Sequence, residues 1–118
     1  MTLNDIKTVD LRGISTRGGH GLFILVEIVD KDGNKKLLVR ANLSSNTHGD
    51  LLSQLRQDIE SDDFTLHCVG GGYIELTTDL KRICVYGSSL SFGRESSRQE
   101  TVHTLQTAFP DFAVAGDS

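Results

Sequence analysis

The run Leu22-Phe23-Ile24-Leu25-Val26-Glu27-Ile28-Val29 constrains this chain more than any other stretch. Apart from Glu27 it is apolar throughout and rich in β-branched residues, the pattern of a central strand covered on both faces. Such a strand requires helices on both sides of its sheet. Asp30-Lys31-Asp32-Gly33-Asn34-Lys35 then supplies turn chemistry, because Asp-Gly and Gly-Asn tolerate positive φ, and a second strand from Lys36 to Asn42 completes a β-hairpin. Pleating sends Leu38, Arg40 and Asn42 to one face and Leu37, Val39 and Ala41 to the other, so Arg40 emerges near the strand's end.

After Asn42 comes a run of capping residues, Ser44-Ser45-Asn46-Thr47, in front of Leu51, Leu52, Leu55 and Ile59, which share one helical stripe. Gln54, Arg56, Gln57 and Asp58 fall largely on the opposite side. Thr47 as N-cap with Asp50 three residues on is a serviceable capping pattern; Ser45 and Asn46 are alternative caps. His48 stands three and four residues before Leu51 and Leu52, so it shares their face and points toward the sheet's edge. A helix N-terminus presents unpaired N–H groups and a partial positive charge, which attract a phosphate or carboxylate and favour a neutral imidazole beside it. That combination points to phosphoryl chemistry with His48 as the reactive residue.

Upstream, residues 5–11 alternate, and Gly13, Gly18, Gly19 and Gly21 with Ser15, Thr16 and Arg17 read as a mobile loop. Downstream, strands are expected over 64–69 and 73–77, on either side of Gly70-Gly71-Gly72, and over 81–87, where Ile83 and Val85 alternate with Arg82, Cys84 and Tyr86. Gly87-Ser88-Ser89-Leu90-Ser91-Phe92-Gly93 is a flexible loop whose hydroxyls and successive amides can form a concave nest for phosphate oxygens. Ser97-Arg98-Gln99-Glu100 fits a capping box for a second helix, with Val102, Leu105, Ala108 and Phe109 as its core stripe. Phe112 and Val114 supply a last short strand.

At 118 residues the chain suits one domain, residues 1–118, with a real core. Its net charge is -4, and its twelve Lys and Arg are scattered without a basic block, which argues against a nucleic-acid partner. Cys68 and Cys84 are too few and too far apart for a disulfide framework and read as reduced core residues. No apolar signal core precedes Arg12 and no apolar run is long enough to span a bilayer, so the expectation is a soluble, cytoplasmic monomer without a membrane partner.

Several site types are set aside by spacing. The glycine triplet lacks the Lys and Ser/Thr of a phosphate-binding P-loop and reads as structural. Neither cysteine has an arginine at the spacing of cysteine-dependent phosphatases, since Ile74 and Leu90 stand there. His20, His67 and His103 show no i, i+4 pairing with one another or with His48, so no metal site is expected; His20, in a glycine-rich stretch next to the central strand, is a candidate to line a site.

Taken together, the ordered set Val39-Arg40 with His48 eight residues after the arginine, Cys68-Val69-Gly70-Gly71-Gly72, Val85-Tyr86-Gly87-Ser88-Ser89-Leu90-Ser91-Phe92-Gly93 and Phe109-Pro110-Asp111-Phe112 resembles the phosphohistidine phosphatase and Janus family, from about Leu22 onward. The resemblance implies an α/β (α+β) fold, a mixed β-sheet of about six strands flanked by two main helices on opposite faces. It also implies a metal-independent, cofactor-free enzyme that removes phosphate from phosphohistidine-containing proteins or peptides, with inorganic phosphate as product. His48 falls on the family's catalytic histidine, Arg40 on an arginine near the site, and Ser89, Leu90 and Ser91 on the loop that holds the phosphate. Asp50 also matches, and its first assignment is to the helix's N-terminal turn.

The chain departs from the family at two positions. Leu22 stands where the family has an active-site lysine, with Arg17 as a candidate replacement, and Tyr73 stands where the family often has arginine. Two lost cations favour a rival reading, a catalytically weak module that binds phosphorylated proteins or serves regulation on the same fold. A third reading is a phosphatase for phospholysine or small phosphoramidates. Thr47-His48-Gly49 as a degenerate Arg-His-Gly motif of phosphoglycerate-mutase-like phosphatases lacks the arginine and the chain length.

Overall fold

The computed structural model describes residues 1–15, 17–44 and 47–117. A short 3-10 turn, Leu3–Asp5, leads into β1 (Val9–Arg12), β2 (Gly18–Asp30), β3 (Lys35–Asn42), α1 (His48–Ile59), β4 (Phe64–Thr77), β5 (Arg82–Tyr86), α2 (Arg98–Ala108) and β6 (Ala113–Gly116). The six strands form one mixed sheet in the order β1-β3-β2-β4-β5-β6, parallel at its two edge pairs and antiparallel between. The fold is the expected α+β arrangement, with α1 and α2 on opposite faces.

The apolar run lies at the centre, as its composition requires. On one face Ile24, Val26, Ile28 and Leu38 pack under Leu51, Leu55 and Ile59 of α1. On the other, Phe23, Leu25, Val39, Ala41, Ile74, Ile83 and Val85 pack under Leu105 of α2. The hairpin turn forms with the Asp30 carboxylate accepting from Asp32 N, Asn34 N and Asn34 Nδ2 at 2.8–3.0 Å.

Four local expectations change. Gly18, Gly19 and Gly21 open β2 and do not belong to a mobile loop: a Cβ at Gly21 would sit 2.1 Å from Asn42 O and one at Gly18 2.0 Å from Leu76 O, so glycine serves close strand approach there. Thr16 lies outside the described residues. The glycine triplet does not separate two strands; β4 runs unbroken through it, with a bulge where Leu25 pairs Gly70 and Val26 pairs Cys68, leaving Val69 as the extra residue. In α2, Ser97 is the N-cap but its hydroxyl makes no capping bond, and the inward residues are Arg98, Thr101, Thr104 and Leu105, with Val102 partly buried and Ala108 exposed. Cys84 is exposed and Cys68 half-buried, so Cys84 is not a core residue.

Candidate functional site

His48 begins α1. Thr47 caps it: Thr47 Oγ1 accepts from Asp50 N at 3.1 Å and the Asp50 carboxylate accepts from Thr47 N at 3.2 Å, a reciprocal box that leaves the first helical amides without intrahelical partners. Ser45 and Asn46, the alternative caps, lie outside the described residues. With its cap fixed, the helix turns His48 inward; the residue is 7% exposed and its Nε2 lies 2.9 Å from Gly72 O. A carbonyl only accepts, so Nε2 carries the proton, and in the neutral ring the lone pair lies on Nδ1. Among the described residues the bond to Gly72 O is the one hydrogen bond the ring makes.

The glycine triplet is the platform on which histidine and loop meet. Gly72 O holds His48, while the adjacent Gly71 N donates to Gly93 O at 3.0 Å and docks the far end of the 87–93 loop. A Cβ at Gly72 would lie 2.3 Å from Tyr86 O and one at Gly71 2.3 Å from Phe23 O, so the close approach admits no larger residue. The loop closes on itself: Ser89 N donates to Gly93 O at 3.2 Å and Gly93 N to Ser89 O at 2.8 Å. Ser89 is buried, and its Oγ accepts from Ser91 N at 3.1 Å and Phe92 N at 3.0 Å. Leu90 at the tip is fully exposed and Ser91 is exposed. The nest expected for an anion is therefore folded around the Ser89 hydroxyl, which occupies two of its amides.

Tyr73 completes this corner. Its ring meets the His48 ring edge-on at 6.1 Å and stacks on Tyr86 at 5.6 Å, and both tyrosines are partly exposed. Leu22 pairs directly with Tyr73 across β2 and β4, so the two positions singled out above for lacking an expected cation are cross-strand neighbours. Sequence reasoning flagged each alone and missed Tyr86, whose alternation with Val85 was the available signal.

The other candidates are placed elsewhere or beside this corner. Arg40 is buried, and its guanidinium donates to Lys7 O at 2.7 Å, Val39 O at 3.0 Å and Thr8 O at 3.3 Å. It thus reaches from β3 toward β1 whereas His48 reaches β4, and β2 keeps β3 and β4 about 10 Å apart. Burial pushes the Arg40 pKa below its ordinary value. Together with Asp10, Arg12, Asp50 and Asp58 it lines a cavity of about 300 Å³ between α1 and the β1–β3 edge. Arg17 is exposed beside Thr78, whose N–H donates to its carbonyl, roughly 16 Å along the strands from the Leu22–Tyr73 pair. His20 is exposed opposite Glu75, one pleat repeat from Leu22 on the same face. The structure therefore brings together His48, the 89–93 loop, Leu22, Tyr73 and Tyr86, and does not bring Arg40 or Arg17 to them. Among the described residues no group of three or more His, Cys, Asp or Glu is arranged to hold a metal ion, and no helix is long and apolar enough to cross a membrane.

A family model, the Janus/Ocnus family, matches residues 3–113. The sex-regulated protein janus-A of Drosophila orena is 27% identical over 92 residues, covering 78% of this chain and 67% of that protein. Its namesake in Drosophila pseudoobscura pseudoobscura is 28% identical over 119 aligned positions, covering 97% of this chain and 78% of the relative. The 14 kDa phosphohistidine phosphatase of Sus scrofa is 28% identical over 82 residues, covering 70% of this chain and 64% of the relative.

Proposed function

This chain belongs to the Janus/Ocnus family, and on that premise we propose that it hydrolyses the P–N bond of phosphohistidine in proteins or peptides, with His48 as its reactive residue. The observation that carries the reading is the buried imidazole at the start of α1, held through Nε2–H by Gly72 O so that the lone pair resides on Nδ1. Fixing one nitrogen on a backbone carbonyl sets the tautomer without a second titrating group. From Nδ1 two routes are open. The lone pair attacks phosphorus as the P–N bond to the substrate imidazole breaks, the leaving nitrogen takes a proton from water, and a second water later releases phosphate. Alternatively Nδ1 takes a proton from a water that attacks phosphorus directly as the P–N bond breaks, and the leaving nitrogen takes up a proton from solvent while His48 returns its own to solvent. In either route the unpaired amides at the start of α1, the Leu90 amide and, once the phosphate displaces Ser89 Oγ, the Ser91 amide stabilise charge on the phosphoryl oxygens, while Ser89 N keeps its bond to Gly93 O.

The test is phosphate release from a phosphohistidine peptide, with EDTA present, by wild type and His48→Ala at equal folded concentration. Release by wild type alone is expected; equal release by both overturns the assignment of His48. Acid-labile radiolabel retained on wild-type protein identifies the first route, and its absence during turnover the second. A second reading, a binding module with little turnover, is favoured by the apolar pair Leu22–Tyr73 and by the occupied loop amides. Phosphate binding without release by wild type identifies it.

A further inference from the structure

The hydroxyl-rich loop begins at Gly87, and this residue is held from two sides. Its backbone is left-handed, φ 72°, and a Cβ there would stand 2.8 Å from Tyr73 Cδ2, so the Cδ2 edge of the Tyr73 ring, which also meets the His48 ring, lies against its α-carbon. On the other side both of its backbone polar groups are bound by side chains: Gly87 N donates to Asp117 Oδ2 at 3.1 Å, and Gly87 O accepts from Arg98 Nη2 at 2.6 Å. Asp117 and Arg98 are themselves paired at 3.0 Å. Arg98 also pairs with Glu95 at 2.9 Å, and Glu95 accepts from the Thr101 hydroxyl; the side chains of Arg98 and Glu95 are only 3% and 1% exposed. Arg94 adds a further bond to Asp117 at 3.0 Å.

Two charged groups sealed from water at a loop root are costly unless paired, and here the pairing is used to grip backbone. Glu95 fixes the exit of the loop as Gly87 fixes its entrance: its backbone lies so close to Gly70 that a Cβ on Gly70 would meet Glu95 N at 2.2 Å. Entrance and exit are thus tied through one arginine that belongs to α2, and the acceptor at the entrance is a carboxylate just beyond β6. The loop carries no apolar anchor of its own at its tip, since Leu90 projects fully into solvent. Its far end is held by the Gly71 N–Gly93 O bond and by Phe92, partly buried against the α1-side core, so what remains to be set is its entrance, by the edge of the Tyr73 ring on one side of Gly87 and the Arg98–Asp117 pair on the other.

We propose that Arg98 and Asp117 are positioning residues, which hold Gly87 so that the Leu90 and Ser91 amides stand at phosphate distance from His48; this rests on the phosphohistidine reading of the site. Neither touches the phosphate. Their effect is on the loop's placement, so it appears in anion affinity and in loop amide exchange as well as in turnover.

The probe is inorganic phosphate titrated into the folded chain, followed by the amide resonances of Leu90 and Ser91 in wild type, Asp117→Ala, Asp117→Asn and Arg98→Lys. Asp117 is the primary variant because it is partly exposed and its loss leaves the Glu95–Arg98 pair intact. The phosphate Kd should rise roughly tenfold in Asp117→Ala, the low end of what groups behind a binding site contribute. Asp117→Asn, which keeps an acceptor for Gly87 N, should recover part of that loss, and hydrogen exchange at Leu90 and Ser91 should quicken in Asp117→Ala. Arg98→Lys, if folded, should weaken phosphate at least as much, because a lysine cannot span Gly87 O, Glu95 and Asp117 together. Unchanged Kd and exchange in Asp117→Ala, with phosphate bound by wild type, overturn the positioning role alone. A wild-type protein that binds no phosphate overturns the functional reading and the positioning role with it.

Discussion

Arg40→Met separates structure from catalysis at a residue that the sequence resemblance led one to expect near the site. Methionine keeps an unbranched apolar stem and removes every guanidinium donor. Of the three carbonyls that lose a bond, Thr8 O still accepts from Val39 N at 2.8 Å and Val39 O stays in the parallel β1–β3 ladder, so Lys7 O, 2.7 Å from Nη2, is the acceptor that loses its donor. Hydrogen bonds from a charged donor contribute roughly 1.5–3 kcal/mol, and because Lys7 is exposed water replaces part of what its carbonyl loses. Against this, the substitution removes a cation that burial already disfavours, as the lowered Arg40 pKa records. The balance is a loss of about 2 kcal/mol, or about 8 °C in Tm for a domain of this size. Urea denaturation should show a lower midpoint with unchanged slope, since the residues from Lys7 to Val39 stay folded until the global transition. Phosphate release per folded molecule should stay within about twofold of wild type, because the lost bonds lie toward β1 and not toward His48. A variant of wild-type stability whose KM rises tenfold or more would refute this reasoning and place Arg40 in the phosphate site.

Leu22→Lys puts an ammonium beside Tyr73 and His48; it should lower KM for a phosphohistidine peptide roughly tenfold, the low end for a hydrogen bond between charged groups, and unchanged steady-state kinetics would mean that phosphate does not reach the Leu22–Tyr73 pair. Ellman's reagent should modify Cys84 first, since it is exposed while Cys68 is half-buried with burial pushing its thiol pKa up; a fast phase that survives Cys84→Ser contradicts that order. The Gly87 N–H, then Arg94 and Arg98, hold the Asp117 carboxyl below its ordinary value of 3.8. A depressed carboxyl pKa stabilises the fold fully above that value and progressively less as pH falls through the folded pKa, so the gap in urea midpoint between wild type and Asp117→Asn should narrow from about pH 4 downward. A gap that is constant from pH 7 to the acid transition would show that the charge is not what Asp117 contributes.

What could be read from the sequence, and what could not, divides along the range of the interactions involved. The Leu22–Val29 strand, the hairpin and the Thr47–Asp50 box are decided by residues a few positions apart, and they form as their spacing dictates. The inward turn of His48 belongs to the same class, because i+3 and i+4 neighbours fix a helical face. In α2 the same method fails: Arg98 and Thr101 are buried because Glu95 and Asp117, outside the helix, pair with them, and Thr104 is buried with its hydroxyl donating to Glu100 O; an apolar period cannot detect a polar residue satisfied in these ways. Arg40 shows the limit for strands. Alternation gives its face correctly, but its destination depends on β1 lying parallel beside β3, a neighbour that no local pattern announces.

The corner around His48 depends on a feature subtler still. Leu66 and Cys68 face α1, whereas Ile74 and Leu76 face α2, although all four positions are even-numbered and a regular strand would send them to one side. The bulge at Val69 inserts the odd residue that exchanges the faces. Downstream of it the odd positions come to the α1 side, and Tyr73 with them, under the edge of His48. Without the bulge Tyr73 would face α2, Ile74 would lie toward His48, and Gly87 would lose the ring that bounds it on the histidine side. Gly70 is what permits the bulge here, since φ 149° and a 2.2 Å approach to Glu95 N exclude a side chain. The glycine triplet therefore does more than carry a bond to His48: its first member reverses the pleat, and the reversal selects which residues surround the imidazole.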